Sequence, residues 1–182
     1  MIELISELRR LQPTARSRRE VAQLLRETAM RGLDELDALP YAKHFYTRTL
    51  LHREDAFEIV AIHWAPGAES RIHDHGDSVV WFAMLRGALT VENYFHPGAP
   101  DAAGDELLTL CDSAVLLIGD VDMRATTFDL HRVSNHGSEA AYSLHLYAKP
   151  MVGYRVYDDD LRHHRSCVSS YDADFSLLRN AT

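Results

Sequence analysis

The chain has 182 residues, enough for one domain with a full hydrophobic core and short for two. Apolar residues make up 46% and charged residues 25%, and a net charge of −8 with no basic stripe argues against a nucleic-acid partner. No apolar run approaches the roughly 20 residues that span a bilayer, and the two cysteines, Cys111 and Cys167, are too few for a disulfide framework.

The start, "MIELISELRRLQP", lacks a signal-peptide pattern, so a cytoplasmic protein is expected, without membrane contact. A single domain over 1–182 is expected, as a monomer or small homo-oligomer. Residues 1–40 read as helices packing on the remainder of the chain. Leu4, Ile5, Leu8 and Leu11 form an apolar stripe that Pro13 stops. Ser17 then stands three residues before Glu20, a capping-box pattern, ahead of Val21, Leu24, Leu25, Ala29, Leu33 and Leu36 at helical spacing.

From Phe45 onward the pattern changes to short strands broken by turn residues. The segments 45–51, 57–64, 78–85, 88–95, 114–119, 130–134, 141–148 and 153–158 read as strands. "APGAES", "HPGAPDAAGD" and "NHGSEA" between them are loop compositions. Many short strands at close spacing predict an all-β antiparallel sandwich or barrel behind an N-terminal helical segment.

Eleven histidines is a high number for this length. His73 and His75, in "RIHDHGDS", alternate with Asp74, so in an extended segment they share a face. Two imidazoles on one face can converge on one ion, although an H-x-H pair alone fits a solvent-facing pair equally well. Further along, "SLHLY" places Ser143, His145 and Tyr147 on one face and Leu144 and Leu146 on the other. Such a row suits a hydrogen-bond relay in which the histidine orients the phenol; read alone, it suits a wet sheet face better. "YTRTLL" presents Tyr46 and Arg48 together, and a guanidinium can hold a carboxylate by two parallel hydrogen bonds. His63 reads as structural, and His44, His52, His96, His136, His163 and His164 as surface residues. Neither cysteine has a histidine-based activating pattern, so a nucleophilic enzyme is not expected.

Gly67, the H-x-H pair and Gly87 resemble the first motif of the cupin superfamily, and "LHRVSN", with His131 and Asn135, resembles the second. The resemblance implies a double-stranded β-helix, or jelly-roll barrel, in which His73, His75 and His131 meet as metal ligands. The glutamate that many cupins add falls at Val79 or Val80 here. Three neutral imidazoles leave a divalent ion its full charge and open positions, which suits iron(II) meeting a chelating anionic substrate and dioxygen. A zinc hydrolase can also use three histidines.

"YTR", "IHDHGDS", "LHRVSN" and "SLHLY" together resemble cysteine dioxygenase, in the family's order and at about its spacing, from Tyr46 to Tyr157. The resemblance implies Fe(II) on the three histidines, Arg48 on the substrate carboxylate with Tyr46 beside it, and Ser143, His145 and Tyr147 as an outer relay. The implied reaction is oxidation of L-cysteine with O2 to cysteine sulfinic acid, in cysteine metabolism. Alternatives are a sibling oxygenase acting on 3-mercaptopropionate or another mercapto acid, or one converting cysteine with loss of the carboxylate to a sulfonate-type product. A non-catalytic cupin that binds a metal or small ligand is the reading from another class. Two departures stand out. Animal members carry a cysteine, cross-linked to the relay tyrosine, where this chain has Val80. "AKP" replaces "SPP" after the relay, so Lys149 stands for a proline. The C-terminal stretch with Cys167 and Tyr171 is expected to close the pocket.

Overall fold

The computed structural model describes residues 1–34, 36–96, 107–125, 129–158, 161 and 163–174. Two helices come first, α1 (Ile2–Leu11) and α2 (Arg18–Arg31), followed by a 3-10 turn at Leu36–Ala38. The strands are β1 (Tyr46–Arg53), β2 (Phe57–Trp64), β3 (Val79–Arg86), β4 (Ala88–Phe95), β5 (Thr109–Leu117), β6 (Val121–Arg124), β7 (Leu130–Ser134), β8 (Ala141–Ala148), β9 (Gly153–Tyr157), β10 (His164–Val168) and β11 (Ala173–Asp174).

Helix α1 ends where Gln12 turns left-handed and gives its N–H to the Leu8 carbonyl, one residue before Pro13. The capping box expected at Ser17 does not form. Its hydroxyl instead donates to the Gln12 and Thr14 carbonyls and accepts from the Thr14 N–H, so it knits the interhelical turn. A short serine side chain committed to its own turn is unavailable to the helix N-terminus.

Six strands form one sheet in the order β11-β1-β2-β8-β3-β6. Three more form β5-β4-β7, and β9 pairs with β10 as a hairpin. The segment before β3 links the last two groups. Ser70 donates its N–H to Val133 and His73 to His131, while Tyr157 donates to Ile72 on the other side. The second layer therefore continues from β7 through residues 69–73 to β9 and β10.

Alternation along the strands builds two cores. The outward residues of the large sheet, among them Phe57, Ile59, Trp81, Leu144 and Leu146, pack against Leu4 and Leu8 of α1 and Val21 and Leu25 of α2. Each fully buried Leu, Ile or Phe side chain there contributes roughly 1.5–3 kcal/mol of transfer free energy. Trp81 also donates its indole N–H to the Arg18 carbonyl at 3.2 Å, fixing α2 on the sheet. The inward residues Val60, Ile62, Phe82 and Met84 meet Leu89, Val91 and Val133 of the opposing sheet.

Strands predicted at 57–64, 88–95, 130–134 and 141–148 coincide with β2, β4, β7 and β8. β5 starts earlier than the predicted 114–119, because its first half, Thr109 to Ser113, lies on an exposed edge and lacks an alternating apolar pattern. The short strands β6, β10 and β11 carry no run of alternating apolar residues and were not predicted. The loop expected at 97–105 lies outside the described residues.

The H-x-H pair sits differently from the strand start expected for it. His73 is bridged to His131 and Val156 in the second layer, and a turn at Gly76–Asp77 separates it from β3. The pair thus occupies the crossing from one sheet to the other. Gly76 has φ +57, and a Cβ there would lie 2.3 Å from the Gly153 carbonyl oxygen, so the crossing accepts no side chain at that point.

Candidate active site

Alternation holds locally across the crossing. Ile72 and Asp74 turn away from the cavity, and His73 and His75 turn toward His131. Asp74 is buried and fully partnered: Arg155 gives it both its backbone N–H at 2.7 Å and its Nε–H at 2.6 Å, and Gly76 donates a third bond. This ties the crossing to β9 and fixes the flanking imidazoles. The three rings are 5.0, 4.8 and 4.9 Å apart between centroids. One nitrogen from each lies within 4.8 Å of the other two.

Burial, reinforced by neighbouring imidazoles (His131 and His73 at His75, His73 at His131), holds His75 and His131 well below the usual imidazole value, and burial brings His73 down to about 4. All three are neutral at pH 7, the form that binds metals. The His73 Nδ1–H donates to the Arg71 carbonyl at 2.8 Å, which leaves Nε2 free for a ligand. The Nδ1 atoms of His75 and His131 are buried without a hydrogen-bond partner. Neutral rings gathered this closely offer one unprotonated nitrogen each for a shared cation. The donor set therefore fits a divalent transition metal. Asp122, held by Arg124, lies 3.8 Å from the His131 Nδ1 and can orient that ring.

Beside the histidines is a cavity of about 350 Å³. Tyr46 and Arg48 from β1, His145 and Tyr147 from β8, and Tyr154 and Cys167 from the β9–β10 hairpin form part of its wall. The face expected for Tyr46 and Arg48 is the one observed. Tyr46 packs on Trp64 at 5.0 Å, and the Arg48 guanidinium and the Tyr147 phenol line the same cavity. Burial raises the Tyr147 phenol above its ordinary value against the pull of Arg48, so the hydroxyl keeps its proton.

The β8 row divides into two parts. Trp64 donates its indole N–H to Ser143 Oγ at 2.9 Å, and that hydroxyl is 2.9 Å from His145 Nε2. Ser143 Oγ thus bridges the Trp64 indole and the His145 ring. His145 is neutral, burial and the Arg48 charge bringing it down to about 3. Its ring stacks on Tyr147 at 6.2 Å and 18°, and Nδ1 has no hydrogen-bond partner. The histidine of the expected relay therefore meets the phenol by ring stacking and not by a hydrogen bond to its hydroxyl.

Val80 stands directly across the β3–β8 ladder from Tyr147, where the resemblance places the cross-linking cysteine. Lys149 has φ +69 and gives its N–H to the Ala56 carbonyl at 2.8 Å. Proline can adopt neither, so the chain leaves β8 along its own path. His63 lies on the outward face between Tyr41 and Tyr142, as a structural role requires. His96, expected at the surface, is buried against the Tyr157 ring at 6.0 Å. Sequence reasoning missed Trp64 and the Asp74–Arg155 pair. The alternation of "FEIVAIHW" puts Trp64 on the inward face, but only the register with β8 brings it to Ser143.

The profile of the family described as cysteine dioxygenase type I matches residues 12–160. This chain belongs to that family. It is 31% identical over 148 residues to the human cysteine dioxygenase type 1, covering 78% of this chain and 72% of that protein. It is 28% identical over 154 residues to the zebrafish (Danio rerio) cysteine dioxygenase type 1, covering 84% and 75%. Among solved structures, a Klebsiella pneumoniae protein with a double-stranded β-helix domain superposes with a TM-score of 0.51 at 16% identity, over 71% of this chain and 98% of that one. The fold is therefore the cupin double-stranded β-helix with a helical N-terminal segment, and the family member is an enzyme of the thiol dioxygenase kind. Among the described residues, no helix is long and apolar enough to cross a membrane.

Proposed function

We propose that the chain is an iron(II)-dependent dioxygenase that converts L-cysteine and O2 into cysteine sulfinic acid. The observation that carries this reading is one cavity whose wall includes two of the three clustered histidines, the Arg48 guanidinium and the Tyr147 phenol. His73, His75 and His131 would hold the iron, which would activate dioxygen and make the substrate thiol acidic, while the four electrons that reduce dioxygen come from the thiol sulfur.

The remaining work falls to the protein. Arg48 receives the carboxylate of the amino acid and fixes its orientation, so that the thiol end lies toward the histidines. Tyr147, kept protonated by burial, offers a hydrogen bond to oxygen as the S–O bonds form. Trp64 and Ser143 lock the His145 ring, which stacks beneath Tyr147 and keeps it from turning away. Ile62, Val133, Met151 and Val156 in the cavity wall keep bulk water out. The balance is one thiol plus one dioxygen giving one sulfinic acid, with the carboxylate retained.

Oxygen uptake by iron(II)-loaded protein against a panel of small thiols, with products weighed by mass spectrometry, tests the reading. Uptake with cysteine and a product heavier by two oxygens is expected. Uptake only with 3-mercaptopropionate, or a product lacking the carboxylate, assigns the site to a sibling reaction. No uptake by the loaded protein leaves a metal-binding cupin.

A further inference from the structure

Arg48 is gripped from behind by the segment between β10 and β11. Its NH1 group donates to the Ser170 carbonyl at 2.7 Å and makes a longer bond of 3.4 Å to Ser169 Oγ. The Tyr171 ring lies under the guanidinium, 5.4 Å from its carbon. Asp172 closes the grip on the backbone, accepting the Arg48 N–H at 2.7 Å and donating its own N–H to the Arg48 carbonyl at 2.9 Å.

The segment is itself pinned at both ends. Ser169 donates to the Val152 carbonyl, and β11 pairs in parallel with β1 at Thr49 and Leu50. Between these pins, the Tyr171 hydroxyl donates to Glu58 Oε2 at 2.6 Å. Glu58 has no exposed surface, receives the Met151 N–H at 3.2 Å and lies 3.7 Å from Arg53 Nε. A buried carboxylate with this many donors is a rigid post. Tyr171 is not part of the cavity wall, whereas Arg48 is.

We infer that Tyr171, anchored on Glu58, is a positioning residue that sets the orientation of the Arg48 guanidinium and thereby the enzyme's preference for thiols that carry a carboxylate. Ser169 Oγ, 3.4 Å from both NH1 and NH2, and the Ser170 carbonyl occupy one side of the guanidinium and Tyr171 its face, so the N–H groups they leave are the ones that can reach substrate. Loss of the ring frees the long side chain to sample other rotamers, and the carboxylate then meets a clamp that must be reordered on each binding event. The inference rests on the reading of Arg48 as the carboxylate clamp.

The test compares Tyr171→Leu, Tyr171→Phe and Arg48→Gln, each iron-loaded, by the KM for L-cysteine and the competitive inhibition constant of cysteamine, which lacks the carboxylate. Tyr171→Leu should raise the cysteine KM about tenfold, with the cysteamine constant and kcat nearly unchanged. Tyr171→Phe keeps the ring and loses only the bond to Glu58, so the cysteine KM should rise about threefold. It remains readable if the leucine variant does not fold. Equal changes for both thiols, or none in either Tyr171 variant while Arg48→Gln raises the cysteine KM, would overturn the positioning role alone. An unchanged cysteine KM in Arg48→Gln would remove the clamp reading itself, and the inference with it.

Discussion

The two faces of β8 differ in kind. On the outward face Leu144 and Leu146 are fully buried among the helices α1 and α2, in a core that is apolar throughout. On the inward face Ser143, His145 and Tyr147 are just as buried, yet each is polar. The outward face needs only shape and volume, which several apolar side chains can supply. The inward face buries polar groups beside the cavity, where Trp64 of β2 and Ser143 form a hydrogen-bonded chain to His145. The packed core and the candidate site thus draw on alternate residues of one strand. Changes to one face should leave the other's property nearly intact.

The largest expected effect falls on the inward side. His131→Ala removes one of three ligands, and metal content after dialysis should drop to background with turnover below detection. The protein should stay folded, since the outer core is untouched; circular dichroism checks this. Next is the outward side. Leu144→Ala should cost about 3 kcal/mol in a denaturant melt, by lost burial and a cavity, while the cysteine KM stays within twofold. A large change in KM with little change in stability would erase the contrast between the faces.

Tyr147→Phe gives the reverse pattern. The ring and its stacking on His145 remain, so stability should shift by roughly 1 kcal/mol or less, while kcat should fall on the order of a hundredfold. The smallest effect is one of pH on the metal-free protein. His145 is brought down to about 3 by burial, whereas the unfolded chain's histidine titrates near 6.5. Between those values the unfolded state binds the extra proton, so stability falls as pH drops below about 6.5, by roughly 2 kcal/mol at pH 5 from this group. Melts at pH 7 and pH 5, with His145→Gln as the variant that should lose part of the difference, measure it.

Much of this was legible in the sequence because alternation is a local property. "FEIVAIHW" and "AYSLHLYA" each match a strand from end to end, and their faces follow from counting by two. The three histidines were legible for the same reason, together with the ordered motifs around them. What could not be read was anything that depends on register or on a crossing between sheets. Trp64 reaches Ser143 only because Ile62 pairs with Ser143 across β2 and β8. Glu58 reads as a polar residue in an apolar strand until Tyr171, 113 positions later, donates to it. The surroundings of Tyr147 depend on cross-strand placement in the same way: His145 of its own strand stacks on its ring, and Arg48, whose charge acts on the phenol, comes from β1.

The most direct measurement is a crystal structure of the iron(II)-loaded protein with L-cysteine bound in the absence of oxygen. The account predicts a single metal on His73, His75 and His131, with the cysteine carboxylate within hydrogen-bond distance of Arg48. A metal held by other residues, or a carboxylate turned away from Arg48, would contradict it.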